Sequence, residues 1–332
     1  FKLGASAIGG MMLGMQHAVE YAKSRKAFGQ SISDFGSIQD KLATSAILTY
    51  TLDSTCYSVI GKQTEAINEL DKNDPEYYIK QGNTTEQYIA ENSIVKVYGS
   101  EAAEELIDHC FQIYGGYGFI EEYPMAQAYR DNRINKIWEG TNEINRMLCG
   151  RAMITKALSG EIGFKEYLEK VDVYCNNGLD SGYEGDLKTE VECVEAAKAV
   201  YAICLNESLS KHGQDIGTEQ VIIENLANIL IYAYVGDSTL SRVIQNKDLY
   251  VQKNQVVPEL CAKVYTAEQG IRVMEYANKI LNSIYDGEIP KELESKFAKL
   301  SKRLSLSTDT IGLKKIIGEK VVEAGGYPVQ SF

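Results

Sequence analysis

The 332-residue sequence predicts an all-α fold, with an up-and-down four-helix bundle followed by a second helical bundle. Three observations support this prediction. Apolar residues recur at spacings of three and four along most of the chain, which is typical of amphipathic helices. Only 5 prolines occur, so long helices can run with few interruptions. The alternation of apolar and polar residues that marks a strand is nearly absent.

The first two helices are predicted from apolar stripes. The first stripe consists of Met11, Met15, Ala18 and Ala22, and its helix ends near Lys26. The second stripe consists of Ile38, Leu42, Ala46, Thr49, Leu52, Cys56 and Val59. Asp34 or Ser37 could cap the start of this second helix, because both side chains accept hydrogen bonds from free backbone amides.

A polar segment from Glu69 to Thr85 is interpreted as a surface loop. A third helix follows and stops at Gly115-Gly116, a pair typical of helix ends. Its stripe consists of Ile94, Val97, Ala102, Leu106, Cys110 and Ile113. A fourth helix is predicted from about Thr141 to about Leu158.

The chain becomes rich in glycine and asparagine between residues 159 and 186, so this segment is interpreted as a linker. It separates a first domain, 1–158, from a helical C-terminal extension, 187–332. The extension carries four further helical stripes. These lie at Val194–Cys204, Val221–Val235, Val257–Met274 and Leu293–Leu304.

Composition excludes several classes of function. The net charge of −12 argues against nucleic acid, whose phosphates require a basic surface. No stretch approaches the roughly 20 apolar residues of a membrane span. The segment after Leu158 is acidic, unlike a basic amphipathic anchor, so membrane association is not expected. Since the chain begins with Phe1, we expect it to be part of a longer protein.

Seven cysteines are scattered singly, without a CxxC pair or a Cys/His cluster. A zinc site is therefore not expected, and no other metal site is predicted. Buried, reduced thiols indicate a reducing compartment. The predicted location is the cytoplasm of a bacterium or the matrix side of a mitochondrion.

Two local motifs contain glycine beside groups that could bind an anion. Arg25–Gly29 reads RKAFG, and its charges could simply complement the end of a helix. Gln112–Gly118 reads QIYGGYG, which could be a helix cap and turn or a close approach of backbone to a ligand. It is not the GxGxxG dinucleotide fingerprint, because it follows a helix and lacks the third glycine at the right spacing.

Two further motifs carry charge. The charges of Tyr129–Ile134 could form an ion-paired helix face. In Ile137–Glu143 a lone carboxylate, Glu139, lies between the only tryptophan and a glycine. One interpretation is a helix start, with Thr141 as the N-cap and Glu143 in the first turn. The other is a general base with an apolar neighbour.

Taken in order, the motifs RxxFG, QxxGGxG, RDxRI and EGTNEI resemble the C-terminal helical domain of acyl-CoA dehydrogenases. The resemblance extends over residues 1 to about 158 and includes the run Ile38–Ala43. Many family members have Phe-Gln where this chain has Phe35-Gly36, and glycine there resembles the very-long-chain branch. A long helical extension and the ending Val321–Gly326 are also similar to that branch.

The resemblance implies a fatty acyl-CoA thioester as substrate and FAD as the hydride acceptor. Glu139 would be the catalytic base that takes the α-proton, while its backbone N–H and a ribityl hydroxyl of FAD would bind the carbonyl oxygen. Gly140 would contact the substrate. Cofactor-binding roles are implied for Arg25, Phe28, Gln112, Gly115, Gly116, Thr141 and Glu143.

The resemblance also implies partners. The first five of these cofactor residues would hold the adenosine diphosphate portion of FAD bound to a neighbouring subunit, so a homodimer is expected. Electron-transferring flavoprotein would be the electron acceptor. The family's N-terminal helical domain and middle β-domain are not in this sequence, and we expect this polypeptide alone to bind FAD poorly and to be inactive.

Two alternatives remain open. One is an acyl-CoA oxidase on the same scaffold, in which oxygen reoxidises the flavin. The other is a non-catalytic helical module for dimerisation or interaction.

Overall fold

The computed structural model describes residues 1–329 and confirms the all-α prediction. Two-residue strands, β1 (Lys26–Ala27) and β2 (Gln30–Ser31), pair antiparallel after the first helix. Within residues 1–159 the helices are, in chain order, α1 (Lys2–Ser24), α2 (Gly36–Asn68), α3 (Tyr77–Glu86), α4 (Ile89–Tyr114), α5 (Gly116–Phe119), α6 (Pro124–Arg133) and α7 (Asn142–Ser159).

The rest of the described chain is also helical. Its helices are α8 (Phe164–Asn177), α9 (Lys188–His212), α10 (Gln220–Gln245), α11 (Lys247–Gln252), α12 (Val257–Ile284), α13 (Lys291–Leu304) and α14 (Thr310–Ala324). Short 3-10 turns occur at Ile32–Asp34, Ile134–Lys136 and Gly213–Thr218. None of the helices within residues 1–329 is long and apolar enough to cross a membrane.

The predicted stripes fall mainly on buried faces of α1, α2, α4, α9, α10, α12 and α13, but Val221 and Ile271 are exposed. Gly115 ends α4 as predicted, with φ +57. The predicted caps of α2 are wrong. Phe35 occupies the N-cap position and no side chain caps the helix. A 3-10 turn leads directly into α2, and the Phe35 carbonyl accepts from the amides of Ile38 and Gln39.

The segment Glu69–Thr85 is not wholly a loop, because α3 occupies its second half. Asp74 starts this helix locally: its carboxylate accepts from the Glu76 amide at 2.8 Å and its carbonyl from the Tyr77 amide at 2.9 Å. Thr84 is the only buried residue of α3. A helix without an apolar stripe gives no periodic signal in the sequence.

Two more helices of over ten residues were not predicted. The segment 159–186, interpreted as a linker, contains α8, which buries Val171, Tyr174 and Cys175. Near the end of the chain, α14 packs against α2. A Cβ at Gly318 would lie 2.5 Å from the Gln39 carbonyl oxygen, so glycine permits this close approach.

The helices enclose two hydrophobic cores. The larger core joins α1, α2 and α4 to residues of α10, α12 and α14, among them Val235, Cys261 and Ile317. The smaller core is built from α7, α8, α9, α10, α12 and α13. The helices of the extension therefore pack on the first bundle, while the domain boundary itself stays a prediction. All seven cysteines are free and buried, as expected.

Helices α1 and α4 meet at a glycine pair. A Cβ at Gly99 would lie 2.6 Å from the Gly4 Cα, and a Cβ at Gly4 would lie 2.3 Å from the Val95 carbonyl oxygen. The two backbones therefore touch at this point. This contact fixes the start of α1 beside the first half of α4, where the candidate site lies.

Candidate functional site

Residues 137–141, which we call the Glu139 turn, connect the 3-10 turn Ile134–Lys136 to α7. Glu139 has φ +53 and Gly140 has φ +82, so two successive residues adopt left-handed backbone. This conformation is strained for a residue with a side chain, and such strain often occurs at functional sites. Thr141 then caps α7, because its hydroxyl accepts from the Ile144 amide at 3.4 Å. The predicted helix start is confirmed.

The side chain of a buried lysine, Lys96, forms hydrogen bonds to this turn. Lys96 of α4 is 4% exposed, and its ammonium donates to the Gly140 carbonyl at 2.8 Å and to Asn142 Oδ1 at 2.6 Å. Asn145 Nδ2 donates to the same Gly140 carbonyl at 2.8 Å and to the Thr141 carbonyl at 3.1 Å. Two side chains from different helices therefore converge on one carbonyl oxygen.

A second layer of polar contacts supports the first. Asn142 Nδ2 donates to the Ser100 hydroxyl and to Glu101, both at 3.0 Å. Glu101 accepts both terminal nitrogens of Arg146 at 2.8 Å, a bidentate geometry that is strong and directional. Arg146 Nε also donates to Asn228 Oδ1 of α10 at 2.7 Å. The network thus links the Glu139 turn to the C-terminal extension.

The Glu139 turn borders a cleft of about 590 Å³. Five of its lining residues come from α3, which forms one wall. The lining consists of Phe1, Leu3, Tyr78, Gln81, Gly82, Thr85, Glu86, Ile89, Asn92, Ser93, Lys96, Glu139, Asn145 and Leu148. Lys96 and Glu139 therefore lie on the same cleft.

The apolar surrounding expected for Glu139 is not formed by this chain. The Glu139 side chain is exposed, and Trp138 is 50% exposed. The indole N–H of Trp138 donates to Asn135 Oδ1 at 3.1 Å. Thr141 and Glu143, two further predicted residues, lie at the same turn. Glu143 is exposed, and a hydrogen bond with the Thr141 side chain lowers the pKa of the Glu143 carboxyl.

The RKAFG and QIYGGYG motifs meet at the other end of α1. The rings of Tyr21 and Tyr114 stack with centroids 4.2 Å apart, which joins the ends of α1 and α4. The Arg25 guanidinium lies 5.7 Å from the centre of the Tyr117 ring, a cation–π contact. We call the exposed surface formed by Arg25, Phe28, Gln112, Gly115 and Gly116 the Arg25 surface.

The Arg25 and Phe28 side chains are exposed, and each contacts an aromatic ring, Tyr117 and Phe35 respectively. Phe28 is 98% exposed at φ +53. Arg25 forms no ion pair within residues 1–329, and nothing lies within 4 Å of a Cβ built at Gly115 or Gly116. An exposed guanidinium beside open glycine backbone suits an anionic ligand such as a diphosphate.

The predicted site residues thus form two groups rather than one. Leu3, at the start of α1, lines the cleft, whereas Arg25 follows its last residue. A helix of 23 residues is about 34 Å long. Glu139, Gly140, Thr141 and Glu143 therefore lie near one end of α1 and the Arg25 surface lies at the other.

The remaining motif has a structural contact. Arg130 makes a bidentate ion pair with Glu121, at 2.7 and 2.6 Å, and both side chains are exposed.

Three residues that support the Glu139 turn, Lys96, Asn145 and Arg146, were not predicted from the sequence. A signal existed for Lys96, because a lysine between Val95 and Val97 interrupts a buried apolar run.

Comparison with known proteins identifies relatives of this chain. Two family models of the acyl-CoA dehydrogenase C-terminal domain match the chain, one over residues 1–154 and one over residues 196–296. A probable acyl-CoA dehydrogenase of Bacillus subtilis (strain 168) is 28% identical over 330 residues, which cover 99% of this chain and 55% of the relative. The mitochondrial very long-chain specific acyl-CoA dehydrogenase of Bos taurus is 32% identical over 259 residues, covering 72% and 37%.

Among solved structures, an acyl-CoA dehydrogenase complexed with FAD from Bacillus anthracis superimposes with a TM-score of 0.90 at 29% identity. The match covers 99% of this chain and 56% of that one. The chain thus spans about half, or less, of the length of the relatives it matches. The two family models together match most of the chain, and its fold matches that of the Bacillus anthracis enzyme. The chain therefore belongs to the acyl-CoA dehydrogenase family and carries its C-terminal domains.

Proposed function

We propose that this chain supplies the catalytic base of an FAD-dependent fatty acyl-CoA dehydrogenase, which introduces an α,β double bond into an acyl-CoA thioester. The observation that carries this proposal is the Glu139 turn, where a carboxylate on strained backbone borders a cleft. FAD would supply the hydride acceptor for the β-hydrogen, and electron-transferring flavoprotein would be the electron acceptor of the complete protein. The names of the matched relatives fit this cofactor and substrate class.

Glu139 offers two groups for the reaction. Its carboxylate accepts the α-proton, which is only weakly acidic, so charge that develops on the thioester oxygen needs a hydrogen-bond donor. Within residues 1–329 the Glu139 amide donates no hydrogen bond, which leaves it available to that oxygen. Gly140 contributes backbone to the substrate contact. A Cβ there would lie 3.1 Å from Asn145 Nδ2, and φ +82 also favours glycine.

The exposure of Glu139 has a consequence for this chain by itself. Proton removal by a carboxylate is most effective where water is excluded. In the complete protein, the substrate, the flavin and the remaining domains cover the cleft. This chain alone therefore binds FAD weakly and does not turn over substrate.

The Arg25 surface binds the adenosine diphosphate portion of FAD. The Arg25 guanidinium would hold the diphosphate, Phe28 would pack against the cofactor, and the backbone of the Gln112–Gly116 loop would approach it closely. Thr141 and Glu143 lie near the flavin that serves Glu139. The placement of the Glu139 turn and the Arg25 surface at opposite ends of α1, a helix about 34 Å long, supports a homodimer in which the two groups of one chain would contact different flavins.

Two other proposals concern location and chemistry. The buried free thiols support a reducing compartment, the bacterial cytoplasm or the mitochondrial matrix side. Acyl-CoA oxidase activity and a purely structural role are the competing functions. Hydrogen peroxide formed in air during turnover by the complete protein identifies an oxidase, and its absence together with reduction of electron-transferring flavoprotein identifies a dehydrogenase.

The test of the base is Glu139→Gln in the complete protein that contains this chain. We expect turnover of acyl-CoA to fall by about 10²- to 10⁴-fold while flavin content stays constant, because glutamine keeps the shape but accepts no proton. The matched control is Glu122→Gln, an exposed carboxylate outside the cleft, which should leave turnover unchanged. A Glu139→Gln protein with normal flavin content and normal turnover contradicts the proposal.

A further inference from the structure

Lys96 occupies a position where a charged side chain is costly. It lies on the buried face of α4 beside Val95 and Val97, and it is 4% exposed. Burial of an ammonium group disfavours the charged form unless hydrogen bonds replace the lost water. Loss of hydration lowers the pKa of Lys96, and the negative charge of Glu101 partly opposes this effect.

The partners of Lys96 are unusual for a buried lysine. They are one backbone carbonyl, at Gly140, and one amide oxygen, at Asn142, rather than carboxylates. No ion pair of Lys96 occurs in the described part of the chain. Because both acceptors are neutral, core stability alone does not explain why a lysine is present here.

The acceptors belong to the segment that carries the candidate base. The Gly140 carbonyl immediately follows Glu139, whose φ of +53 is strained. Lys96 reaches this carbonyl from α4, and Asn145 reaches it from α7. A strained turn keeps its shape only where surrounding groups fix it, and here two donors do so.

We propose that Lys96 is a positioning residue for the reaction of Glu139. By binding the Gly140 carbonyl it fixes the turn so that both the Glu139 carboxylate and the Glu139 amide face the cleft. This inference rests on the proposed function, since it concerns the geometry of that same base. Lys96 takes no proton from substrate and acts only through the turn.

The test uses Lys96→Met in the complete protein, because methionine keeps the length and removes the donor. We expect kcat to fall about 10- to 100-fold, because moving a catalytic group by up to about 1 Å from its reacting position lowers the rate by factors of this size. KM should change less than kcat, because the cleft walls remain. The control is Lys314→Met, which removes another little-exposed lysine, paired with Glu268 at 2.7 Å on α12. It should leave kcat unchanged.

A rescue experiment separates positioning from general destabilisation. In Lys96→Ala, ethylammonium ions should restore part of kcat in a saturable manner, because a small ammonium can occupy the vacated place. Lys314→Ala should not respond to ethylammonium. A Lys96→Met protein with normal kcat, or a Lys96→Ala protein whose lost kcat does not recover, contradicts the inference.

Two further measurements keep the result interpretable. If Lys96→Met does not fold, as judged by helical circular dichroism, Lys96→Leu is used, because leucine also removes the donor to Gly140. The expected kcat for Lys96→Leu is below that of the unchanged protein, and an equal kcat overturns the inference. Glu139→Gln is measured in the same series. If it keeps full turnover, the proposed function fails, whereas a loss confined to Glu139→Gln defeats only the role of Lys96.

Discussion

The two ends of α1 carry the two groups of site residues, and these groups are held in different ways. At the Glu139 end, buried polar side chains such as Lys96 bond the strained turn. At the Arg25 end, Phe28 is almost fully exposed and the Arg25 guanidinium lies over an aromatic ring. The first end is thus shaped by the core of this chain, whereas the second presents groups that a ligand or a second subunit must satisfy.

The largest expected effect separates the two ends by function. In the complete protein, Arg25→Gln should raise the Kd for FAD about 10- to 100-fold, because one charge-assisted contact to a diphosphate is lost. Its kcat at saturating FAD should stay close to normal. Glu139→Gln should show the reverse pattern, with tight FAD and low kcat. Flavin fluorescence titration and steady-state assays measure both, and a kcat defect in Arg25→Gln with normal FAD affinity breaks the comparison.

The second prediction compares an ion pair at each end. Arg146→Met should lower the free energy of unfolding by about 1–3 kcal/mol, because Glu101 and Asn228 lose their donor in a largely buried setting. Arg130→Met breaks the exposed pair with Glu121 and should cost about 0–1 kcal/mol. Urea unfolding of the 332-residue chain measures both values. Equal losses of unfolding free energy would show that the polar network at the Glu139 end stabilises the fold no more than an exposed ion pair does.

A smaller effect is expected from the wall formed by α3. Nothing lies within 4 Å of a Cβ built at Gly82, so Gly82→Leu fits the helix and projects into open space at the cleft. The variant should gain up to about 1 kcal/mol of helix stability. In the complete protein its KM for acyl-CoA should rise several-fold with little change in kcat. An unchanged KM would mean that this part of the cleft does not receive substrate.

Much of the fold follows from the sequence because packed helices need apolar stripes. The stripes on α2, α4 and α12 predicted those helices, and Gly115 predicted the end of α4. Helix α3 was missed because it buries almost nothing. Helix α8 was not predicted because glycine and asparagine residues at both of its ends made the whole segment 159–186 resemble a linker.

Less of the site could be predicted. The Glu139 motif and the Arg25 motif are local, so they are visible in the sequence. Lys96 is separated from Gly140 by 44 positions, and this contact exists only after α4 and the turn have packed together. The expectation of an apolar niche rested on Trp138, but a neighbour in sequence does not have to cover the next side chain. Here the indole turns to Asn135 instead.

The most direct test of the account follows the α-proton itself. An acyl-CoA analogue with sulfur in place of the β-carbon cannot lose a β-hydride, but its α-hydrogen can still exchange with deuterated water. The complete protein should catalyse this exchange, as measured by mass spectrometry of the recovered analogue. Glu139→Gln should abolish the exchange, whereas Glu122→Gln should not. Exchange at the normal rate in Glu139→Gln, with analogue and flavin bound, would contradict the assignment of Glu139 as the base.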